Sequence, residues 1–564
     1  IYDEAAALAD MAWRFKERDD PMSLAISVSG AMHVLPDEHI LSAPRLFFDY
    51  DESIIRDFLA LLTPATAVVL FVDKSVEGTT NAVEKWYGTP YRADAVEADV
   101  LARWAAAKPL PSFAIPAPNA FIPTDFALVA DALPVAEEEA AVAAAQAKDA
   151  AIRGVTVKGA AAQPPAVSPD ASGNGTTVTA TEDAGTCAAT ATAQCDAPVM
   201  GKVDAEDDAA SAVPRPQVIR DDASVRLHYK LDRTFLRPSV NVHINLISPV
   251  AYASPRAGVL ADLAAMLMED ALNEYAYVAT VAGLRYQLQH SSTGFVLSVH
   301  GYSHKAPVLL AAITAQLASF TASPARFALL SELLHRDYKN FFKEQPYQHV
   351  LYLNQLLTES PRWHVADYLT FFEGDPARRL TAADVDAFLA TFRETLQVEM
   401  LVHGNVDAAG ALGMARELET TLGYAPLCPL ERPHRRIVVL PRHRPVLARM
   451  PGPNAGDVNS AVQVLFQLGV VGDARMDVAV SLLSAMLNKP VYHVLRTEQQ
   501  LGYLVFSGMQ RAEGVQALRI IVQSKSTGPV EVVRRIDAFL DKFGRETLPE
   551  MGAPQFREYV AAIA

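Results

Sequence analysis

Residues 490–508 read PVYHVLRTEQQLGYLVFSG, a sequence that divides into an amphipathic helix ending near Gln500, a turn at Gly502 and a buried strand. Around it the same logic extends in both directions. Strand-like residues 461–468 precede a helix over 474–487 and another over 491–498; strands at 502–509 and 517–523 and a helix at 530–543 follow. An earlier stretch repeats this order. Residues 240–247 (VNVHINLI) alternate strictly, as a half-buried strand does, and a long helix over 256–282 breaks at Gly283. Strand patterns at 284–290 and 294–302 come next, then helices near 305–320, 326–344 and 346–358, a helix at 381–392 and a strand at 397–403. Strand, long helix, paired strands, helix, twice over, predicts an α+β fold of repeated two-layer units, each a sheet with helices packed on one face.

The first hundred residues carry mixed signals. Ile54, Ile55, Phe58, Leu59 and Leu62 form a stripe of helical period over 52–62, with Asp51 placed to cap it. Residues 67–72 (AVVLFV) predict a short strand buried on both faces. A turn at Glu77-Gly78 leads into a loop ending in Trp86-Tyr87-Gly88. Residues 107–134 hold Pro109, Pro111, Pro116, Pro118, Pro123 and Pro134, and proline fixes φ and removes a ladder donor, which predicts an extended linker. From 135 to 217 the chain is rich in Ala, Thr, Ser, Gly and Asp and nearly free of aromatics. An exposed Ala-rich helix over 137–152 is expected there, and disorder for the rest, because so little apolar surface cannot offset the entropy of ordering.

Composition narrows the classes of function. With 564 residues, half of them apolar, the chain can bury several cores, and a formal charge of −16 argues against nucleic acid as a partner. The three cysteines, Cys187, Cys195 and Cys428, form neither a disulfide framework nor a Cys-based metal set, so a reducing, cytoplasmic location is expected. No apolar run approaches the ~20 residues that cross a bilayer, and no membrane partner is expected. Ile1 in place of Met, and a last helix pattern that stops at 559–564, predict a piece of a longer protein.

No Gly-rich phosphate loop, G-x-S-x-G elbow or H-E-x-x-H helix occurs. His33 with Glu38-His39 comes nearest to a zinc pattern, but Leu35 stands where a first His belongs and Pro36 interrupts any helix. His300 and His304 have i,i+4 spacing at the end of a strand pattern, where the two side chains do not share a helical face; His228 and His243 lie on strand-like stretches, and His243 reads as a structural histidine. The basic run over 432–449 reads as solvated charge. The pair that stands out is Arg496, projecting from the helix, and Tyr503, at the start of the strand. An arginine donates a fork of hydrogen bonds to carbonyls, and a tyrosine hydroxyl stabilises developing oxyanion charge. The plainer reading is an Arg at a helix C-terminus and a Tyr at a core edge.

Residues 495–508 (LRTEQQLGYLVFSG) resemble a signature of the insulin-degrading enzyme, nardilysin and pitrilysin family of zinc metallopeptidases, the inverzincins. WYGT (86–89), FIPT (121–124), LNEYAY (272–277), AGL (282–284), GY (301–302), EQP (344–346) and HGN (403–405) resemble the same family in the same order, covering nearly the whole chain outside 135–217. The resemblance implies four homologous units in two halves that enclose a chamber for peptides. On that map residues 1–106 are the end of the second unit, 107–134 the linker between halves, 135–217 an insertion, 218–430 the third unit and 431–564 a truncated fourth. It implies an endopeptidase of oligopeptides and small proteins whose Zn2+ is held by an inverted H-x-x-E-H helix and a distant Glu in the first unit, so no metal ligands are expected in this chain. By the same resemblance Arg496 and Tyr503 bind the substrate backbone and stabilise oxyanion charge, and Tyr492, Leu504 and Val505 line a substrate pocket. The family often has Phe where Tyr492 stands, and the insertion departs from its usual short linker. Peptide substrates and the missing N-terminal catalytic half are the expected partners, with a homodimer left open. A non-catalytic, peptide-binding or scaffold homologue is the alternative.

Overall fold

The structure is a computed structural model that describes residues 1–115, 117–158, 215–441 and 444–563. The chain divides into two compact units, Ile1–Ile122 and Pro123–Ala564.

In the first unit, helices α1 (Tyr2–Arg14), α2 (Pro21–Ala31) and α3 (Glu52–Leu61) precede a hairpin of β1 (Ala82–Val83) and β2 (Pro90–Tyr91), then α4 (Ala98–Ala105). Asp51 caps α3 as expected: its carboxylate accepts from Ser53 N at 2.8 Å and Ile54 N at 3.3 Å. The WYG loop is the hairpin turn, where the Glu84 carboxylate accepts from the backbone N–H of Trp86 and Tyr87, both at 2.7 Å. The expected buried strand at 67–72 is not found. Those residues form no ladder, and Val68, Leu70 and Val72 are 89%, 88% and 96% exposed. A strand exists only against a partner, and the single ladder among the described residues of this unit is the two-residue pairing of β1 with β2. The apolar stripe of α3 is likewise formed but uncovered, with Ile54, Ile55, Phe58 and Leu59 all exposed.

The second unit begins with α5 (Val129–Ala132) and α6 (Val135–Lys158). The expected Ala-rich helix is therefore present, but it is not wholly exposed: Val142 and Asp149 are buried, and the Asp149 carboxylate accepts from Asp221 N at 3.0 Å. Its partner is a strand that the sequence reading passed over. The disorder expected beyond residue 152 is not found at 153–158, which continue α6, or at Gln217, which opens the next strand; the rest of that expectation falls mainly on 159–214, outside the described residues.

The chain then runs through β3 (Gln217–Asp221), β4 (Val225–Leu231), β5 (Ser239–Ile247), α7 (Pro255–Val281), β6 (Arg285–Ser291), β7 (Gly294–Tyr302), α8 (Ala306–Ser319), α9 (Pro324–Phe341) and α10 (Pro346–Thr358). It continues with β8 (Glu359–Ser360), α11 (Val365–Leu369), α12 (Ala382–Glu394), β9 (Thr395–Gly404), α13 (Ala408–Leu422), β10 (Ala425–Pro426) and β11 (Arg436–Ile437). Six strands order as β3-β4-β9-β5-β7-β6, with β10 joined to β9. The pairing of β4 with β9 is parallel, and β5 is antiparallel to both β9 and β7. In β5 Val240, Val242, Ile244 and Leu246 are buried while their neighbours face outward, the alternation that a sheet covered on one face demands. Helices α7, α8, α12 and α13 pack against this sheet. Gly404 is required where β9 passes β5, because a Cβ there would meet the Ser239 carbonyl oxygen at 2.3 Å. The next residue, Asn405, is buried and holds the Pro-rich segment: its Oδ1 accepts from Val129 N at 2.7 Å, and its Nδ2 donates to Ala127 O at 2.8 Å and Ser303 Oγ at 3.0 Å.

A second sheet follows from β12 (Ser460–Val470), α14 (Ala474–Val491), β13 (Leu504–Ala512), β14 (Val515–Ser524), α15 (Pro529–Lys542), α16 (Leu548–Glu550) and α17 (Ala553–Ile563). Its order is β12-β14-β13, antiparallel throughout. Met486, Leu487, Val491 and Leu495 of the helical layer meet Val505, Leu518, Ile520 and Val522 of the sheet, with Val532, Ile536 and Phe539 of α15 closing the core. Contrary to the sequence reading, the 25-residue helical stretch Ala474–Glu498 is long and apolar enough to cross a membrane by length and composition; in this fold its apolar residues pack on the sheet. The opposite face is not open, as a one-sided unit would leave it: α10 lies there, with Tyr347 edge-on to Phe506 at 6.1 Å and its N–H bonded to Gln523 Oε1 at 3.0 Å.

Candidate functional site

Pro490 sits inside α14, where it has no N–H to donate and its ring crowds the carbonyl one turn earlier. The helix does not stop. It widens into a π turn over Tyr492–Glu498, closed by Gln499 N donating to Val494 O at 2.9 Å, five residues back, and Leu501 N donating to Leu495 O at 3.0 Å. Gln500 then takes a left-handed φ of 50° and Leu501 plugs the core. Gly502 runs so close to β14 that a Cβ would lie 1.9 Å from the Gln523 carbonyl oxygen. These steps deliver Tyr503 to the edge of the sheet on the same face as the π turn, two residues before the buried Val505.

The Arg496 guanidinium lies between two rings, its Cζ 4.6 Å from the Tyr492 centroid and 4.8 Å from that of Tyr503. Each contact contributes about 0.5–1 kcal/mol at an exposed position. Among the described residues Arg496 has no hydrogen-bonding or carboxylate partner; the nearby Glu498 instead pairs with His493 at 3.2 Å. The stack thus fixes the plane of the guanidinium and leaves its N–H fork unused, while Tyr503 as a residue is 80% exposed. That arrangement can donate several hydrogen bonds to an extended backbone or an anion.

The structure brings Arg496, Tyr503 and Tyr492 together. It separates the other two expected site residues. Leu504 faces a cavity of about 410 Å³, shared with Gln345, Tyr347, Leu501, Tyr503 and Gln523, whereas Val505 is 4% exposed in the core on the other face. Successive strand residues point oppositely, so Leu504 and Val505 do not line one pocket. The contributions of Gln345, Tyr347 and Gln523 were missed, being distant in sequence, and the only local signal of the π turn is Pro490.

The histidines do not assemble a metal centre. His304 Nδ1 accepts from the N–H groups of Thr124 and Asp125, His243 Nδ1 pairs with Ser298 Oγ at 3.0 Å, and His300 pairs with Asn241. Among the described residues no group of three or more His, Cys, Asp or Glu side chains is placed to hold a metal ion, so these residues do not fit a zinc site.

The architecture around this turn is α+β, with helices packed on a six-strand sheet joined by β10 and on a second, three-stranded sheet. Residues 13–149 and 199–371 match the family model described as the middle or third domain of peptidase M16, and residues 482–564 that described as PQQ synthase PqqF-like, C-terminal lobe domain 4. The chain belongs to the M16 peptidase family, within the inverzincins. It is 29% identical to the insulin-degrading enzyme of Homo sapiens, over 100% of this chain and 47% of that protein. It is 25% identical to a nardilysin-like protein of Arabidopsis thaliana, over 96% of this chain and 45% of that one. A crystal structure of pitrilysin shares the fold with a TM-score of 0.68 at 21% identity, over 100% of this chain and 50% of that one. The chain spans about half the length of the curated relatives it matches.

Proposed function

We propose that the whole protein is a zinc-dependent endopeptidase of oligopeptides and small proteins, with Zn2+ held by residues outside this chain. In this reading the chain supplies the substrate-binding half. The observation that carries it is the Arg496 guanidinium stacked between Tyr492 and Tyr503 with its fork unused, beside a cavity of about 410 Å³. Arg496 binds the backbone carbonyls of an extended peptide, and the Tyr503 hydroxyl stabilises negative charge that develops on the scissile carbonyl oxygen. Tyr492 orients Arg496 from below, and Leu504 lines the adjoining pocket.

The test uses the full-length protein and a fluorogenic peptide. Hydrolysis is expected to cease on chelation and return with Zn2+, and Arg496→Ala and Tyr503→Phe are each expected to lower kcat/KM about 100- to 1,000-fold, the range for loss of a transition-state donor. Unchanged kcat/KM in both variants overturns the residue roles. A full-length protein that binds peptides but never cleaves them returns the non-catalytic scaffold reading.

A further inference from the structure

The cavity of about 410 Å³ beside the Arg–Tyr stack is uneven in charge. Of the residues that line it, Lys525 alone is ionic, and among the described residues it has no carboxylate or hydrogen-bonding partner. Arg496 brings a further cation to the same wall, its Cζ 4.8 Å from the centroid of the Tyr503 ring that lines the cavity. In a chain whose formal charge is −16, unpaired cations gathered at one cavity make a local field opposite to the average. One carboxylate stands behind the wall. Asp457 Oδ1 accepts from Asn459 N and Nδ2, both at 2.8 Å, so that charge is turned onto the wall and lies outside the lining.

The neutral groups add donors. Tyr347 N–H donates to Gln523 Oε1 at 3.0 Å, which fixes which end of that amide is oxygen. Gln523 Nε2 therefore donates, and Gln345 turns its Oε1 to it at 3.2 Å. The Gln345 Nε2 is left as a donor with no partner among the described residues. The Lys525 ammonium and the Ser526 hydroxyl supply more N–H and O–H groups at the same cavity. Leu504 and Tyr347 give it apolar wall. A guest suited to such a lining has an aliphatic stem and a head that only accepts, which is an ionised carboxylate on a short chain.

We propose that this cavity receives a substrate side chain next to the scissile bond and selects glutamate there, with Lys525 as the residue that sets the preference. The inference rests on the reading of Arg496 and Tyr503 as substrate contacts, because Tyr503 both lines the cavity and, in that reading, faces the scissile carbonyl. The glutamate methylenes lie on Leu504 and Tyr347, and the carboxylate accepts from the Lys525 ammonium and Gln345 Nε2. A lysine guest meets like charge, and a glutamine guest forgoes the ion pair. Because Lys525 is exposed, water screens the pair and the preference is moderate.

The assay sets the full-length protein against fluorogenic peptides of one sequence, cut at a single bond, with Glu, Gln or Lys at each position flanking that bond in turn. At one of the two positions Glu should exceed Gln in kcat/KM about 5-fold, and Gln should exceed Lys by about as much, with the difference in KM. Lys525→Gln should bring the Glu and Gln peptides level. Lys525→Glu should invert the order so that the Lys peptide leads, a reversal that loss of structure does not produce. Lys525 lies at the exposed end of β14, so both exchanges leave the core untouched.

The same peptides, dye-labelled, are titrated against the metal-chelated protein by fluorescence anisotropy, which reads binding without cleavage. A Glu preference in binding that Lys525→Glu inverts, with no hydrolysis at any Zn2+ level, keeps the subsite and sinks the peptidase reading. Hydrolysis that depends on Arg496 but follows the same peptide order in wild type and Lys525→Glu overturns the subsite alone. Absence of both binding and hydrolysis overturns both.

Discussion

A methyl group at position 502 would sit 1.9 Å from the Gln523 carbonyl oxygen and 2.9 Å from its carbon. Gly502 has no left-handed φ, so Gly502→Ala carries no conformational penalty of that kind and tests the close approach alone. Relief requires a displacement of about 1.1 Å, the difference between 1.9 Å and the 3.0 Å floor for such contacts. The atoms that must move are backbone on both sides, and Leu504 opposite Gln523 is the first ladder pair to part. Overpacking plus one or two lost ladder bonds amounts to roughly 2–4 kcal/mol. A shift of about 1 Å in the Tyr503 ring against Arg496 should cost up to ~100-fold in kcat/KM of the full-length protein. Amide hydrogen exchange over 504–512 reads the first effect and peptide hydrolysis the second. Exchange at the wild-type rate with kcat/KM within about twofold would refute the idea that this glycine sets the position of the site.

Four further outcomes are expected. Arg496→Lys keeps the charge but loses the planar stack of a guanidinium on two rings, and should lower kcat/KM about 10-fold with only a small fall in melting temperature. Hydrogen bonds from Arg534 and Arg535 hold the Glu531 carboxyl at about 2, below its ordinary 4.5. A depressed carboxylate stabilises above its unfolded value, so the melting-temperature gap between wild type and Glu531→Gln should be full above pH 4.5 and vanish as pH falls through about 2; an equal gap at both ends contradicts it. Tyr338→Phe strips Asp262 of its 2.7 Å donor and should destabilise by about 1.5–3 kcal/mol in urea unfolding. Asn405→Ala leaves Val129 N and Ala127 O without their bonds, and limited proteolysis should then accelerate near 123–134, with unchanged cleavage counting against the clasp.

The periodic segments were legible because each satisfies its pattern locally: β5 alternates, α7 breaks before Gly283, and Asp51 caps α3. Residues 67–72 misled because an apolar run specifies burial, not the partner that provides it. Helix α13 was overlooked although Asp407 caps it and Gly423 ends it with a left-handed φ of 62°, signals that were there to be read. Of the site, the nearness of Arg496 and Tyr503 followed from a helix turning into a strand; the stack itself depends on the π turn, whose register no helical wheel contains. A cavity of about 390 Å³ in the larger sheet region gathers residues from 252 to 435, a set that only the folded chain brings together.

Helix α10 belongs by chain order to the larger sheet and by contact to the smaller one. Its first turn reaches Gln523 through both Tyr347 N and the Gln345 side chain, beside the carbonyl that Gly502 grazes. The two sheets therefore have no clean seam. A chain trimmed to residues 431–563 would lose one covering of its own sheet and leave Ile521 and Phe506 facing water, so truncation mapping would register failed folding as if it were failed binding. Dissection of this half by point substitution, not by excision, is what its architecture permits.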